Sequence, residues 1–309
     1  MPIDAVENII RQFVTNPAMG YHDPAAINTL RESLYELFGL KGSLLDQYIS
    51  FLKRAFKMDF GISIIAFPSK VSDLISVALP WTISLLLFTT LLSWVIGNIL
   101  GVTTTILESH GKFRRVAKIF EAFALTVYPI PYYVMALVLI FLLAYLVRLF
   151  PLPGMGGTIA PVFSLDWLIS NISRLALPAL SILIVSCFGW WFLSARTLTI
   201  SLLREDFYQY AVIRGMPTST LLKKYAFKNV LLPQITGLGL SLGSIFGGAL
   251  IVEAIFGLPG LGSLLRRAVI NGDIITSLGI LILSIIGVAS ATYILDIIYP
   301  LIDPRVRYR

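Results

Sequence analysis

Five stretches of this chain contain no Asp, Glu, Lys or Arg, and they constrain its fold more than any other feature. They cover 74–107, 122–147, 175–195, 229–252 and 274–295, with lengths of 34, 26, 21, 24 and 22 residues. A helix needs roughly 20 apolar residues to cross about 30 Å of hydrocarbon, and all five are long enough. Lipid cannot satisfy exposed backbone groups, so such runs must be helical. The rest of the composition agrees: 57% of the 309 residues are hydrophobic and 13% are charged, where soluble domains carry about 25% charge. The expected fold is an all-α integral membrane bundle with five transmembrane helices, each ending within three or four residues of these limits.

The net charge of +7 lies in short loops between the spans, which points to orientation in a membrane and not to nucleic acid. Lys112, Arg114, Arg115 and Lys118 lie between spans one and two. Arg196, Arg204, Arg214, Lys223, Lys224 and Lys228 lie between spans three and four, and Arg305, Arg307 and Arg309 lie in the tail. These are 13 of the 24 basic residues, all on one side. The opposite loops hold Arg148, Arg174, Arg266 and Arg267. The positive-inside bias makes the first side cytoplasmic, with the C-terminus inside and residues 1–75 outside. The lone Cys187 excludes an internal disulfide, and His22 and His110 have no metal-site spacing.

The external segment 1–75 reads as amphipathic and helical. Asp23 and Pro24 form a helix start, followed by Ile27, Leu30, Leu34 and Leu37 at helical spacing, and Gly39 is placed to end that helix. Ser43 and Asp46 form a capping-box pair ahead of Leu45, Tyr48 and Leu52. Helices are expected at 24–38 and 44–57. No signal peptide precedes this segment, which implies a further span upstream and an internal or misassigned Met1.

The 198–230 loop within the 76–309 core is the most informative stretch. It reads Arg204-Glu205-Asp206-Phe207-Tyr208-Gln209-Tyr210-Ala211-Val212-Ile213-Arg214-Gly215, and Asn229-Val230-Leu231-Leu232-Pro233 follows. Gly215 can take a positive φ and turn the chain, and a second helix, from Thr218 to Asn229, leads back to the membrane. A projecting helix with exposed Phe207, Tyr208 and Tyr210 suits a partner's groove, or equally the lipid headgroups.

These residues resemble the permease (transmembrane) subunit of a binding-protein-dependent ABC importer, in its dipeptide/oligopeptide branch. That family carries a cytoplasmic pattern near Glu-Ala-Ala-x-x-x-Gly and a later Leu-Pro. Arg204-Glu205-Asp206-Phe207, Ala211, Gly215 and Asn229 to Pro233 match, whereas Gln209 and Tyr210 replace the first two places of the pattern. Glu253-Ala254-Ile255-Phe256-Gly257-Leu258-Pro259-Gly260-Leu261-Gly262, the tail Asp303-Pro304-Arg305-Val306-Arg307, Leu45 to Tyr48, Asp59 to Ser63 and Leu79 to Thr82 extend the match over nearly the whole chain. The family has six spans, so its first is missing from the front of this chain.

The resemblance implies the type I ABC permease fold in a prokaryotic cell membrane. It also implies three partners: ABC ATPase subunits inside, a second homologous permease subunit, and an external substrate-binding protein. Glu205, Asp206, Phe207, Tyr208, Gln209, Tyr210, Ala211, Arg214 and Gly215 would couple to the ATPase. The chain has no phosphate-binding Gly-x-x-x-x-Gly-Lys-Ser/Thr loop, so no cofactor is expected on it, and ATP and Mg would be used by the partners. Proline breaks and small residues assign Pro129, Pro131, Gly243, Gly247 and Gly248 to the translocation path. Glu253, beside a Gly-Leu-Pro-Gly turn, is the candidate gate. Cargo would be peptides or related solutes; the branch includes carriers of oligosaccharides and nickel chelates.

Two other classes compete. An ion-gradient-driven secondary transporter places ionisable groups deep in the membrane, whereas Glu121, Glu253 and Asp296 stand at span edges. A membrane enzyme needs a buried nucleophile–base pair, and Ser186 and Ser290 have no His in any span.

Overall fold

The computed structural model describes residues 7, 10, 24–37, 42–111, 113–154, 165–245 and 249–302. Among these the secondary structure is helical, apart from an isolated bridge between Ile62 and Lys70. The two N-terminal helices form near the expected residues: α1 covers Pro24–Leu37 and α2 covers Leu44–Phe56. Ser43 Oγ accepts from the Asp46 backbone N–H, and the Asp46 carboxylate accepts from the Ser43 N–H at 3.1 Å. This reciprocal cap closes the first turn of α2, and the Ser43 hydroxyl, donating to Asp46 at 2.7 Å, together with the Ser43 N–H holds the exposed Asp46 carboxyl below its usual range. Gly39 and the tail match at 303–307 lie outside the described residues.

The long helix α3, Val71–Ser109, contains the first charge-free run and overshoots it by a few residues at each end. The second run takes a different form. Arg114–Val127 (α4) and Tyr132–Leu139 with its π-helical continuation Ile140–Leu146 (together α5) are bent by 105° across Pro129 and Pro131. Pro131 supplies no N–H and sits in extended backbone before α5, so the ladder stops there.

Leu165–Ile184, the π-helical turns Val185–Phe192 and Leu193–Leu202 form one continuous helix, α6. It runs seven residues past the expected end at 195. The short α7, Asp206–Ile213, follows. Next comes α8, made of Thr218–Thr220, the π-helical Leu221–Phe227 and Lys228–Ser244. The expected span 229–252 is not one helix: its last part is 17 residues long, and Ala249, at φ −97 and ψ 66, breaks the backbone before α9, Leu250–Phe256. The chain continues through α10, Leu261–Ile270, to α11, Ile274–Ile302.

Among the described residues, Val71–Ser109, Asn171–Leu202 and Ile274–Ile294 are each long and apolar enough to cross a membrane, and the bent pair makes a fourth. The chain is thus an all-α membrane protein; three or four of the expected spans are long and apolar enough among the described residues, and the expected span 229–252 runs through 246–248, which lie outside them.

The bundle is built on α3. A Cβ on Gly97 would lie 2.5 Å from Trp191 Cβ, and one on Gly101 would lie 2.7 Å from the Phe192 carbonyl oxygen. Only glycine permits so close an approach of α3 to α6. Gly189 makes room in the same way for the backbone of Tyr128 beside the bend. At the far end from α7, Trp81, Leu85, Ala136, Leu139, Leu177 and Phe256 form one core; at the α7 end, Val102, Ile106, Ala195, Leu202, Leu221 and Val230 form another.

Candidate functional site

The α7 region is a two-sided element. Asp206 stands in its first turn, where a negative charge complements the helix dipole. Tyr208 and Ala211, three residues apart, point inward and are 2% and 1% exposed, packed in the core formed by Val102, Ile106, Leu202 and Leu221. The expectation that Tyr208 is exposed is therefore corrected. Its ring is an anchor, and its hydroxyl is buried without a partner among the described residues. Burial pushes the phenol pKa up. The outward face carries Phe207, Tyr210, Val212 and Ile213, the last 81% exposed, and the Arg214 guanidinium lies over the Tyr210 ring at 5.5 Å. Gln209 donates to the Leu203 carbonyl and closes the turn before the helix. Gly215 has φ +71, as the sharp turn requires.

Behind α7, Arg196 joins three helices. Its guanidinium reaches Glu108 at 2.8 Å on α3, Glu121 at 3.0 Å on α4 and Thr105 Oγ1 at 3.3 Å. The sequence places Glu121 at a span edge but gives no sign that Arg196, in a basic loop, turns inward.

A cavity of about 330 Å³ opens between α3, α5, α6 and α8. Its lining includes Thr90, Tyr132, Ser186, Trp190, Trp191 and Ser241, so it is neutral, aromatic and hydroxyl-bearing. The Ser186 hydroxyl lies 3.2 Å from that of Ser93. Pro129 and Pro131 set the bend that presents Tyr132 to this cavity. Gly243 does not line it: a Cβ there would lie 2.9 Å from Val288 Cα and from Ala291 Cβ, so this glycine serves packing against α11. Gly247 and Gly248 lie outside the described residues.

Glu253 is 1% exposed at the far end of the bundle. Its Oε1 accepts from Thr82 Oγ1 at 2.8 Å, and its Oε2 accepts from the Gly262 and Ser263 N–H groups at 2.8 and 3.3 Å. Thr82 Oγ1 in turn accepts from the Leu261 N–H at 2.8 Å. The carboxylate thus caps the start of α10, where unpaired N–H groups and the dipole favour a negative charge. A Cβ on Gly260 would collide with Oε2, which accounts for glycine there.

Asp273 forms a matching site that the sequence reading missed. It is fully buried. Oδ2 accepts from Ser63 Oγ at 2.6 Å, from the Ile64 and Ile65 N–H groups at 2.9 and 3.2 Å, and from Thr276 Oγ1 at 2.7 Å. Oδ1 accepts from the Thr276 N–H at 2.9 Å. This residue ties the segment before α3 to the start of α11. Asp273 followed three residues later by Thr276 is a helix-start signal that could have been found.

Residues 97–308 match the family of the binding-protein-dependent transport system inner membrane component. The chain is 30% identical over 289 residues to the oligopeptide transport system permease protein AppB of Bacillus subtilis, covering 93% of this chain and 88% of that one. It is 31% identical over 279 residues to the oligopeptide transport system permease protein OppB of Haemophilus influenzae, covering 88% and 83%. Over 308 residues it is 28% identical to the probable peptide ABC transporter permease protein y4tP of Sinorhizobium fredii, covering 97% and 92%. This chain belongs to the family of binding-protein-dependent ABC importer permeases, of which it is a transmembrane subunit.

Proposed function

We propose that this permease subunit forms half of a path for peptides or related solutes, with a homologous subunit supplying the other half. An external binding protein delivers the cargo. ATPase subunits dock on α7 and use ATP and Mg. The C-terminus and α7 face the cytoplasm, residues 1–75 face outward, and the path passes the cavity beside Tyr132, Ser186 and Trp190.

The observation that carries this reading is the two-sided α7. Tyr208 and Ala211 root it in the ends of α3, α6 and α8, while Tyr210 and Ile213 are exposed and Phe207 is half-exposed with its ring stacked on Tyr225. A movement imposed on the outer face is transmitted to the spanning helices through the buried one.

Photo-crosslinkers at Tyr210 and Ile213 in the assembled importer are expected to capture an ATPase subunit, and those at Tyr208 and Ala211 are not. Equal capture from both faces, or none from the outer face, overturns the docking. Gly215→Val is expected to separate ATP hydrolysis from uptake while the chain stays in the membrane, because a β-branched residue resists φ +71.

A further inference from the structure

The two external helices are treated differently by the rest of the chain. On α1, the apolar stripe Ile27, Leu30 and Leu34 packs against Ile62, Ile64 and Ile275. On α2, three faces separate. Gln47, Arg54, Phe51 and Ala55 look toward the body and line a small cavity shared with Ile275 and Leu278 of α11. Asp46, Lys53 and Lys57 form a polar, exposed face. The third face is apolar and uncovered within the described chain: Leu45 is 67% exposed and Phe56 is 89% exposed, with Tyr48 and Ile49 between them.

The level of α2 along the bundle follows from its neighbours. Its body face shares that cavity with the first turns of α11, just after the buried cap Asp273. The linker after α2 is held at the same level. Phe60 packs on Gly279, and the Gly61 carbonyl accepts from the Val71 N–H at the start of α3. Two helices long and apolar enough to cross a membrane, α3 and α11, therefore begin at the level of α2. The uncovered apolar side of α11, including Ile274, Leu278 and Leu281, starts there too.

We infer that α2 lies in the membrane surface as an interfacial helix, with Leu45, Tyr48, Ile49 and Phe56 in the lipid and Lys53 and Lys57 among the headgroups. Lipid is the occupant that satisfies all three faces at once. A helix of this kind buries its apolar side at the headgroup–acyl boundary and keeps cationic residues on the polar side. A tyrosine suits that depth because its ring is apolar and its hydroxyl polar, and lysine stems extend along apolar surface to bring the ammonium to water or phosphate. The body-side cavity and the Asp273 clamp then hold the external segment at a fixed height above the bundle.

The test uses the assembled importer in nanodiscs of phosphatidylethanolamine and phosphatidylglycerol. Single nitroxide labels are placed at Leu45, Tyr48, Phe56, Lys53 and Lys57 in a Cys187→Ser background. Power saturation compares collisions with oxygen, which concentrates in lipid, and with a water-soluble nickel chelate. Labels at Leu45, Tyr48 and Phe56 are expected to show an oxygen-to-nickel ratio several-fold above those at Lys53 and Lys57. A low ratio at all five sites means that α2 stands in water and overturns the inference. Low collision rates with both reagents at Leu45 and Phe56 mean that a protein surface covers the face, whether the second permease subunit or the binding protein, and also overturn it. A label that disturbs assembly is detected by loss of ATP-driven uptake, and Leu45→Trp with brominated-lipid quenching of the added fluorescence then decides the same question.

Discussion

The two ends of the bundle hold their buried charges by opposite means. At the α7 end, two carboxylates, Glu108 and Glu121, share the single cation Arg196. At the far end, Glu253 and Asp273 pair with no cation among the described residues. Backbone N–H groups at helix starts and the hydroxyls of Thr82, Ser63 and Thr276 hold them instead. A helix terminus is fixed in place, so a carboxylate bound there locks the local backbone. An arginine fork crosses between helices and carries its charge on a long side chain. The difference separates a rigid end from one whose charged contacts span three helices.

The largest effect is expected from removing the donor-held carboxylate. Asp273→Ala orphans donors from Ser63, Ile64, Ile65 and Thr276 in a fully buried site, and unsatisfied buried groups cost about 1–3 kcal/mol each before relaxation. A loss of about 3–5 kcal/mol is expected in equilibrium unfolding of the detergent-solubilised protein. A loss under about 1 kcal/mol would show that the N-terminal segment is not held through Asp273. Next, Arg196→Met leaves two carboxylates close together. They retain some access to water, so the expected cost is smaller, about 2–3 kcal/mol. Arg196→Lys should recover part of it, because one ammonium cannot reproduce the forked contacts. The salt response should differ as well: added salt weakens the Arg196 cluster in the parent but has no such target in Arg196→Met.

Glu253→Gln sharpens the comparison. The amide oxygen still accepts from the start of α10, and Thr82 can reorient toward the new NH₂ group, so about 1–2 kcal/mol is expected. If Glu253→Gln costs more than Arg196→Met in the same unfolding assay, the charge matters more at the far end than the geometry implies. The smallest effect is assigned to Tyr208→Phe. Its hydroxyl is buried and unpaired, so its removal should shift stability by no more than about 0.5 kcal/mol, in either direction. A large loss would reveal a partner for that hydroxyl.

Much of the fold was legible because lipid and caps impose simple rules. The charge-free runs locate the long helices, Ser43 with Asp46 starts α2, and α1 begins at Pro24, near the expected residues. The ends of the spans were less legible, because a charge-free run records contact with lipid and not helix length. α6 continues past 195 since Arg196 finds Glu108 and Glu121. The proline pair predicts an interruption, but the 105° bend depends on Gly189 lying under Tyr128. In the 198–230 loop the sequence supplies the helix and its glycine. It does not show which face turns inward, since Tyr208 and Tyr210 are chemically alike and only packing distinguishes them. Gly243 and the cavity show the same limit: small residues mark close approach, and whether a neighbour or a cargo approaches is decided by the three-dimensional arrangement.

The glycine contacts between α3 and α6 have a mechanical consequence. Two helices pressed backbone to backbone at Gly97 and Gly101 have no side-chain cushion in which to slide, so they move as a single beam. One end of that beam carries Arg196 and the seat of Tyr208, and further along it stand Trp190 and Trp191, on the wall of the cavity. A displacement at the α7 end therefore arrives at the cavity wall with little slack. Whatever bends must bend at the joints outside the beam, and the described residues hold two: the Pro129–Pro131 corner and the break at Ala249.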